Sequence, residues 1–137
     1  MTVYVDTSDL IKLYIEEADS ERTRQLVNEA DVVVTSALAY PEARATLARR
    51  RRERLMTKLE SSKAIAQLDA DWPRFLVIPL ADNLAREAGR LADTHGLRGA
   101  DAAHLASFAD LLSRCEDDDL RFSGADDRLV RAARSLG

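Results

Sequence analysis

The sequence predicts an α/β sandwich in which a mainly parallel sheet carries helices on both faces. Short runs of β-branched and aromatic residues alternate along the chain with longer segments of helical periodicity. Of the 137 residues, 46% are apolar and 32% are charged, with only 5 Gly and 3 Pro, a balance typical of a helix-rich globular protein. No repeat or linker divides the chain, so we expect residues 1–137 to form a single domain.

Four segments are predicted to be strands. Residues 2–6 are apolar on both faces, as expected of a central strand, and the segment ends at Asp6. Residues 32–35 are mainly β-branched and are predicted to form a buried strand. Residues 75–79 and 120–123 complete the set.

Helical segments follow these strands. Ser20 and Asp82 are predicted to cap two of the helices. Pro41 must lie near the start of another, because a proline deep inside a helix costs about 3 kcal/mol. Trp72-Pro73 and His95-Gly96 mark helix ends. The predicted helices begin at Asp9, Ser20, Ser36, Arg54, Asp82, Gly99 and Asp126, and the sequence leaves open whether those from Ser36 and Arg54 are continuous.

Four acidic residues are predicted to meet at one edge of the sheet, since ligands of parallel α/β sheets bind beyond the carboxyl ends of the strands. Asp6 ends the first strand, and Glu42 follows the second by one or two helical turns. Asp101 begins the helix that leads to the fourth strand. Asp126 follows that strand, although Asp127 competes with it for this position.

Such a group of carboxylates needs compensation. Two of them about 4 Å apart repel by roughly 4 kcal/mol at an effective dielectric constant near 20. They must take up protons or share a hard cation, and an all-oxygen set of ligands favours Mg²⁺ or Mn²⁺. A site of this kind activates water and stabilises charge on a phosphoryl group, as in metal-dependent nucleases. The alternative is that these acids are ordinary helix caps.

A basic run lies next to the second of these acids. The net charge is −4, but residues 44–58 contain seven basic residues and one acid. The run could hold the phosphate backbone of RNA or could be a solvated helix face. The candidate RNA-binding residues are Arg49, Arg50, Arg51, Arg52 and Arg54.

The cysteine, the histidines and the apolar runs of the chain do not point to a further functional site. Cys115 is the only cysteine, which excludes an intramolecular disulfide and favours a reducing compartment. No signal peptide or apolar run of about 20 residues is present, so we expect a soluble cytoplasmic protein without a membrane partner. We expect His95 to end a helix and His104 to be a satisfied histidine beside the core.

Four short segments occur together in an order and at intervals that are specific in combination. They are Val5-Asp6-Thr7-Ser8 with Leu10, Thr35-Ser36-Ala37-Leu38 leading to Glu42, His95-Gly96-Leu97-Arg98 leading through Asp101 to His104-Leu105-Ala106, and Ala125-Asp126 with Arg128-Leu129. Through these segments the chain resembles the PIN-domain ribonucleases, and most closely the VapC-type toxins of bacterial toxin–antitoxin pairs.

The resemblance implies a PIN-like three-layer α/β/α sandwich with a sheet of four strands, or five. It also implies a Mg²⁺-dependent endoribonuclease, with Mn²⁺ as a substitute, whose acidic set matches Asp6, Glu42, Asp101 and Asp126 in both metal binding and catalysis. Thr7 and Ser8 would orient the first aspartate. A homodimer and a cognate antitoxin, whose tail enters the acidic groove, are the implied protein partners.

One position departs from the family pattern. Many relatives have Thr or Ser two residues before the last aspartate, whereas this chain has Gly124. A supporting hydroxyl is therefore missing beside Asp126.

Two other functions compete with the nuclease. One is a non-catalytic PIN-like interaction module, in which the groove only receives a basic peptide. The other is an aspartate-dependent phosphatase, which normally carries a second acid two residues after the first, where this chain has Ser8. A P-loop nucleotide-binding protein is disfavoured because the motif G-x-x-x-x-G-K-[ST] does not occur.

Overall fold

The computed structural model describes residues 1–136 and contains one four-stranded sheet in this part of the chain. All strand pairs are parallel, and the order is β3-β2-β1-β4, so β1 and β2 are central. Val3 pairs with Val33 on one side and Arg121 on the other. The strands are β1 (Thr2–Val5), β2 (Val32–Ser36), β3 (Leu76–Ile78) and β4 (Leu120–Ser123).

The helices connect and cover these strands. They are α1 (Thr7–Leu10), continued by a 3₁₀ turn at Ile11–Leu13, α2 (Ser20–Glu29), α3 (Ala39–Arg52), α4 (Lys58–Asp71), α5 (Asp82–His95), α6 (Gly99–Arg114) and α7 (Asp127–Leu136). A further 3₁₀ turn at Trp72–Arg74 ends the α4 segment where Pro73 was expected to end it.

A separate apolar core lies on each face of the sheet. Tyr4 and Val34 point to one face and pack with α5, α6 and α7. Val3 and Val5 point to the opposite face and pack with α1, α3 and α4. This alternation follows from the two-residue period of a strand. The predicted three-layer α/β/α architecture with a parallel sheet is therefore confirmed, with four strands among the described residues.

The sequence left open whether the helices predicted from Ser36 and Arg54 are continuous, and in the structure they are two separate helices. Arg54 has a φ of 60°, in the left-handed region, which ends the helical path after α3. Thr57 then starts α4 with a capping box, in which its hydroxyl accepts from the Glu60 backbone N–H and the Glu60 side chain accepts from the Thr57 backbone N–H. The helix predicted from Arg54 therefore begins four residues later.

Two predicted caps are placed differently. Asp19, with a φ of 70°, occupies the cap position of α2, and Ser20 is its first residue. The Ser20 hydroxyl instead donates to the Ile15 carbonyl and accepts from the Glu17 backbone N–H, which fastens the loop before the helix. Asp82 is likewise the first residue of α5 rather than its cap.

The described helices include none that combines the length and the apolar character needed to cross a bilayer. The predicted end of the last helix at Gly137 lies outside the described residues.

Candidate active site

A cleft of about 420 Å³ lies at the carboxyl edge of the sheet. All four acids predicted from the sequence line it, together with Thr7, Ser8 and His104. The alternative acid, Asp127, lines the neighbouring pocket instead. The four carboxylates that share the cleft are Asp6, Glu42, Asp101 and Asp126.

Asp6 is the most buried of these acids, with 3% of its surface exposed. Its backbone N–H donates to the Ser123 carbonyl at 3.0 Å, which continues the β1–β4 pairing by one residue. Its Oδ1 accepts from the Ser8 hydroxyl at 2.7 Å and from the Asp9 backbone N–H at 3.1 Å, so Asp6 caps α1. α1 begins at Thr7 rather than at the predicted Asp9, because its cap is Asp6, the last residue of the predicted strand.

Burial dominates the electrostatics of Asp6. Removal from water raises the pKa of Asp6 from its ordinary value to about 6, against the hydrogen bonds from Ser8 and Asp9, which lower it. The protein therefore compensates the free energy cost of the charged form only in part. A cation at this carboxylate would supply the missing compensation.

Gly124, the position that departs from the family pattern, passes close to Asp6. A Cβ at this position would lie 2.7 Å from Asp6 Oδ2 and 2.9 Å from Phe122 Cε1, so a larger residue would require one of these two side chains to shift. The Ser8 hydroxyl donates to Asp6 and accepts from the Ala125 backbone N–H at 3.1 Å.

Glu42, in the first turn of α3, is held by two side chains. The Thr7 hydroxyl donates to its Oε1 at 2.5 Å, and His104 Nε2 lies 3.0 Å from the same oxygen. Burial raises the pKa of Glu42, but the hydrogen bonds from His104 and Thr7 and the charge of Arg98 outweigh it, so the pKa is lowered. Glu42 is thus an ionised carboxylate with a defined orientation.

Asp101 and Asp126 are more accessible than Asp6. Arg98 Nε lies 3.6 Å from Asp101 Oδ2, one turn away at the start of α6. Asp126 Oδ1 accepts from the Leu129 backbone N–H at 2.9 Å, so this acid caps α7 while it also lines the cleft. The helix-cap alternative is therefore observed for both Asp6 and Asp126, and it is compatible with a place in the cleft.

Only part of the basic run borders the cleft. Arg49 and Arg50 line it, and Arg98, the residue before α6, joins them. Arg50 is paired with Glu17, another lining residue. The cleft thus combines an acidic floor with basic side chains, whereas the exposed residues Arg51, Arg52 and Arg54 are not among its lining residues.

The donor set fits a hard, strongly hydrated cation. Within residues 1–136, no three Asp, Glu, His or Cys side chains are grouped closely enough to chelate an ion in the observed arrangement. Mg²⁺ usually takes one or two carboxylates and keeps several waters or substrate phosphates, so it does not need a complete protein cage. Asp6 and Asp101 offer the required oxygen ligands within one cleft.

The sequence interpretation missed the place of His104. We expected a histidine beside the core, and its ring is indeed buried, but it also lines the cleft and contacts Glu42. A spacing of three residues between Asp101 and His104 in one helix puts both on the same face. That spacing was the available signal.

Comparison with known proteins identifies the family. The PIN domain model matches residues 3–115, which include Asp6, Glu42 and Asp101. The chain therefore belongs to the PIN-domain family. Two relatives are Ribonuclease VapC45 and Ribonuclease VapC49 of Mycobacterium tuberculosis, strains CDC 1551 / Oshkosh and H37Rv. Each is 39% identical over 105 residues, covering 77% of this chain and 73% of the relative.

Solved structures agree on the fold. FitAcB from Neisseria gonorrhoeae has a TM-score of 0.70 at 20% identity, and the match covers 96% of this chain and 93% of the FitAcB chain. VapC20 from Mycobacterium tuberculosis, described as a sarcin-ricin loop cleaving toxin, has a TM-score of 0.63 at 19% identity, with 79% and 82% covered. VapBC2 from Rickettsia felis, bound to a promoter DNA fragment, has a TM-score of 0.57 at 12% identity, with 92% and 100% covered.

Proposed function

We propose that the protein is an endoribonuclease toxin of the VapC type, which hydrolyses RNA phosphodiester bonds with the aid of a divalent cation. The main support for this proposal is the shared cleft of four acids, in which burial leaves Asp6 with a raised pKa. The four are Asp6, Glu42, Asp101 and Asp126. The 39% identity to two proteins named ribonucleases supports the RNA substrate.

Asp6 and Asp101 would hold Mg²⁺, or Mn²⁺ in its place, most directly. Glu42 would complete or position the site, and Asp126 would bind or tune a second ion. Such a cation neutralises charge that develops on the phosphodiester and activates the attacking water. Ser8 and Thr7 orient the carboxylates of Asp6 and Glu42 through the hydrogen bonds described above.

The arginines that border the cleft are suited to the RNA backbone. Guanidinium groups contact phosphates in a bidentate manner, and three of them line the cleft with the acids, two from α3 and one from the residue before α6. A phosphodiester seated over the carboxylates would therefore have cationic partners in the same cleft. This assigns Arg49, Arg50 and Arg98 to substrate binding and leaves Arg51, Arg52 and Arg54 to longer-range attraction.

The protein partners of the proposal are a cognate antitoxin and a second copy of the chain. Structures of toxin–antitoxin assemblies share the fold, including a complex from Klebsiella pneumoniae with a TM-score of 0.52 at 20% identity. The acidic cleft is suited to a basic peptide tail, which would compete with RNA and the cation. We place the active protein in the cytoplasm, where its RNA substrate is present.

The decisive experiment is cleavage of a structured RNA by the purified protein. Cleavage is expected with Mg²⁺ or Mn²⁺ and should stop when a chelator is added. Cation-independent cleavage would contradict the proposed chemistry. A protein that binds a basic antitoxin peptide but never cleaves RNA would be a non-catalytic interaction module, whereas release of phosphate from a phosphomonoester would indicate a phosphatase. Ser8 argues against the latter, because it donates to Asp6 where a phosphatase needs an acid.

The two groups of arginines provide a matched test of RNA binding. Replacing Arg49 and Arg98 with Gln removes two positive charges from the cleft, and replacing Arg51 and Arg52 removes the same charge outside it. We expect the first pair to lower the slope of log affinity against log salt by about 1.4, since each phosphate contact to a single strand contributes about 0.7.

Replacing Arg51 and Arg52 should change the slope of log affinity against log salt by less than half as much as replacing Arg49 and Arg98. Affinities are measured by fluorescence anisotropy across a salt series, without divalent cations so that cleavage does not interfere. Equal effects of the two pairs would show that RNA follows the whole basic run rather than the cleft.

A further inference from the structure

His104 lies in the second turn of α6, with 2% of its surface exposed. Both of its ring nitrogens have polar neighbours. Nδ1 lies 2.8 Å from the Tyr4 hydroxyl, and Nε2 lies 3.0 Å from Glu42 Oε1 and 2.9 Å from the Thr7 hydroxyl. The core side of the ring thus contacts β1, and the other side contacts a carboxylate of the cleft.

The protons in this group can be counted. Thr7 has a single hydroxyl proton, which it donates to Glu42 Oε1 at 2.5 Å. Neither a carboxylate nor this hydroxyl then has a proton to offer the ring, so Nε2 must be the donor. On the other side, the Tyr4 hydroxyl can donate to Nδ1. One consistent arrangement is Tyr4 O–H to Nδ1 and Nε2–H to Glu42.

We propose that His104 is a positioning residue that holds Glu42 in the cleft through an Nε2–H hydrogen bond, with Tyr4 holding the opposite side of the ring. The role of Glu42 rests on the proposed function, whereas the hydrogen-bond arrangement does not. Neither Tyr4 nor His104 is among the residues assigned above to the chemistry.

The arrangement joins the two faces of the sheet. Glu42 belongs to α3, which packs on one face, and His104 belongs to α6, which packs on the other. Tyr4 is itself held by parallel stacking with Phe122, with ring centroids 5.6 Å apart, and by edge contacts with Phe108 and His104. The ring of His104 is thus fixed by packing, as a residue that orients another must be.

Glu42 receives both donors on one oxygen, Oε1. Within residues 1–136, no hydrogen bond is made to Oε2, which remains available for a cation, a water or RNA. Loss of the histidine donor would leave only Thr7 to orient the carboxylate. Partners of this kind typically change metal affinity by about 10–100-fold.

The ring protonation can be measured directly because the chain contains 2 histidines. Nitrogen NMR of protein labelled at histidine should show His104 with a proton on Nε2, and His104→Gln assigns the signal by its disappearance. His95, at the end of α5, is the internal reference. A bare Nε2 on His104 would overturn the proposal, whatever the protein does to RNA.

Variants then test the effect on Glu42. His104→Leu should weaken Mn²⁺ binding, measured by calorimetry, by about 10–100-fold, and His104→Gln, whose amide can still donate, should recover at least part of this loss. Tyr4→Phe should weaken it by about 3–10-fold while leaving the protein folded. Tyr14→Phe removes a hydroxyl bonded to Asp71, away from the cleft, and should change it less than twofold.

The outcomes separate this inference from the proposed function. If the unaltered protein binds no Mn²⁺ and cleaves no RNA, the proposed function fails, while the NMR result still decides the arrangement of His104. The positioning role is wrong if the unaltered protein binds Mn²⁺ and the variants Tyr4→Phe, His104→Gln and His104→Leu all bind it as tightly as Tyr14→Phe does. Circular dichroism must show that these variants are folded.

Discussion

Asp6→Asn is expected to abolish RNA cleavage and at the same time to make the protein more stable. Loss of the buried charge should reduce the cleavage rate by about a thousandfold or more, which corresponds to about 4 kcal/mol of transition-state stabilisation. The amide oxygen can still cap α1 by accepting from Ser8 and Asp9. The substitution therefore removes the burial cost of a carboxylate without removing its structural role.

The gain in stability follows from the sign of the pKa shift. The folded-state pKa of Asp6, about 6, lies above its ordinary value of 3.8, so the folded protein binds this proton more tightly than the unfolded chain. The contribution of Asp6 to the free energy of unfolding is most favourable below pH 3.8 and falls as the pH rises through about 6. At pH 7 the difference amounts to about 1–3 kcal/mol in the cation-free protein.

Denaturant unfolding of both proteins in chelator from pH 4 to pH 8 checks this. The free energy of unfolding of Asp6→Asn minus that of the unaltered chain should rise with pH over this window, and Mg²⁺ should reduce the difference at pH 7. Asp82→Asn, an exposed acid in the first turn of α5, is the control and should change stability by less than about 0.5 kcal/mol. If Asp6→Asn destabilised the protein, the burial cost of the Asp6 carboxylate would have to be fully compensated in the unaltered chain, and this prediction would be wrong.

Asp101→Asn is expected to separate cation binding from folding. Because a bound cation stabilises the folded state by mass action, Mg²⁺ at 100 times its dissociation constant should raise the free energy of unfolding by about 2.7 kcal/mol. The substitution should weaken binding at least tenfold, halve that increase at the same Mg²⁺ concentration, and reduce cleavage by about a hundredfold or more. The readouts are unfolding with and without Mg²⁺ and the rate of RNA cleavage.

The same helix provides a closely matched control. Asp110 lies in α6, its side chain is 21% exposed as is that of Asp101, and it also pairs with an arginine one turn away. It lines a different pocket. Asp110→Asn should therefore leave both the Mg²⁺ effect and cleavage unchanged. Equal losses in the two variants would show a general effect of charge on α6 rather than a site at Asp101.

Local patterns in the sequence carried much of the fold. β4 has the predicted bounds, and the parallel sheet follows from the alternation of strands and helices. The end of α5 at Gly96, with a φ of 62°, follows from the left-handed conformation that glycine tolerates. The position of Asp6 in the cleft was also predictable, because the carboxyl ends of parallel strands lie at one edge.

Contacts between distant residues decided the rest. Gly124 is the loss of a hydroxyl in sequence terms, and the structure adds that a Cβ there would lie 2.7 Å from Asp6 Oδ2, so a side chain would force a neighbour to shift. His104 looked like a core residue, and its contact with Glu42 joins positions 62 residues apart. Which arginines of the basic run line the cleft, and which lie outside it, depends on how α3 packs.

The sequence alone thus determined the order of the elements and the strand-end positions of the acids, since both depend on spacing within a few residues. The tertiary structure decided which oxygen of each carboxylate is held and by what. Hydrogen-bond direction and burial arise only when β1, β4, α3 and α6 are brought together, and no local periodicity encodes them.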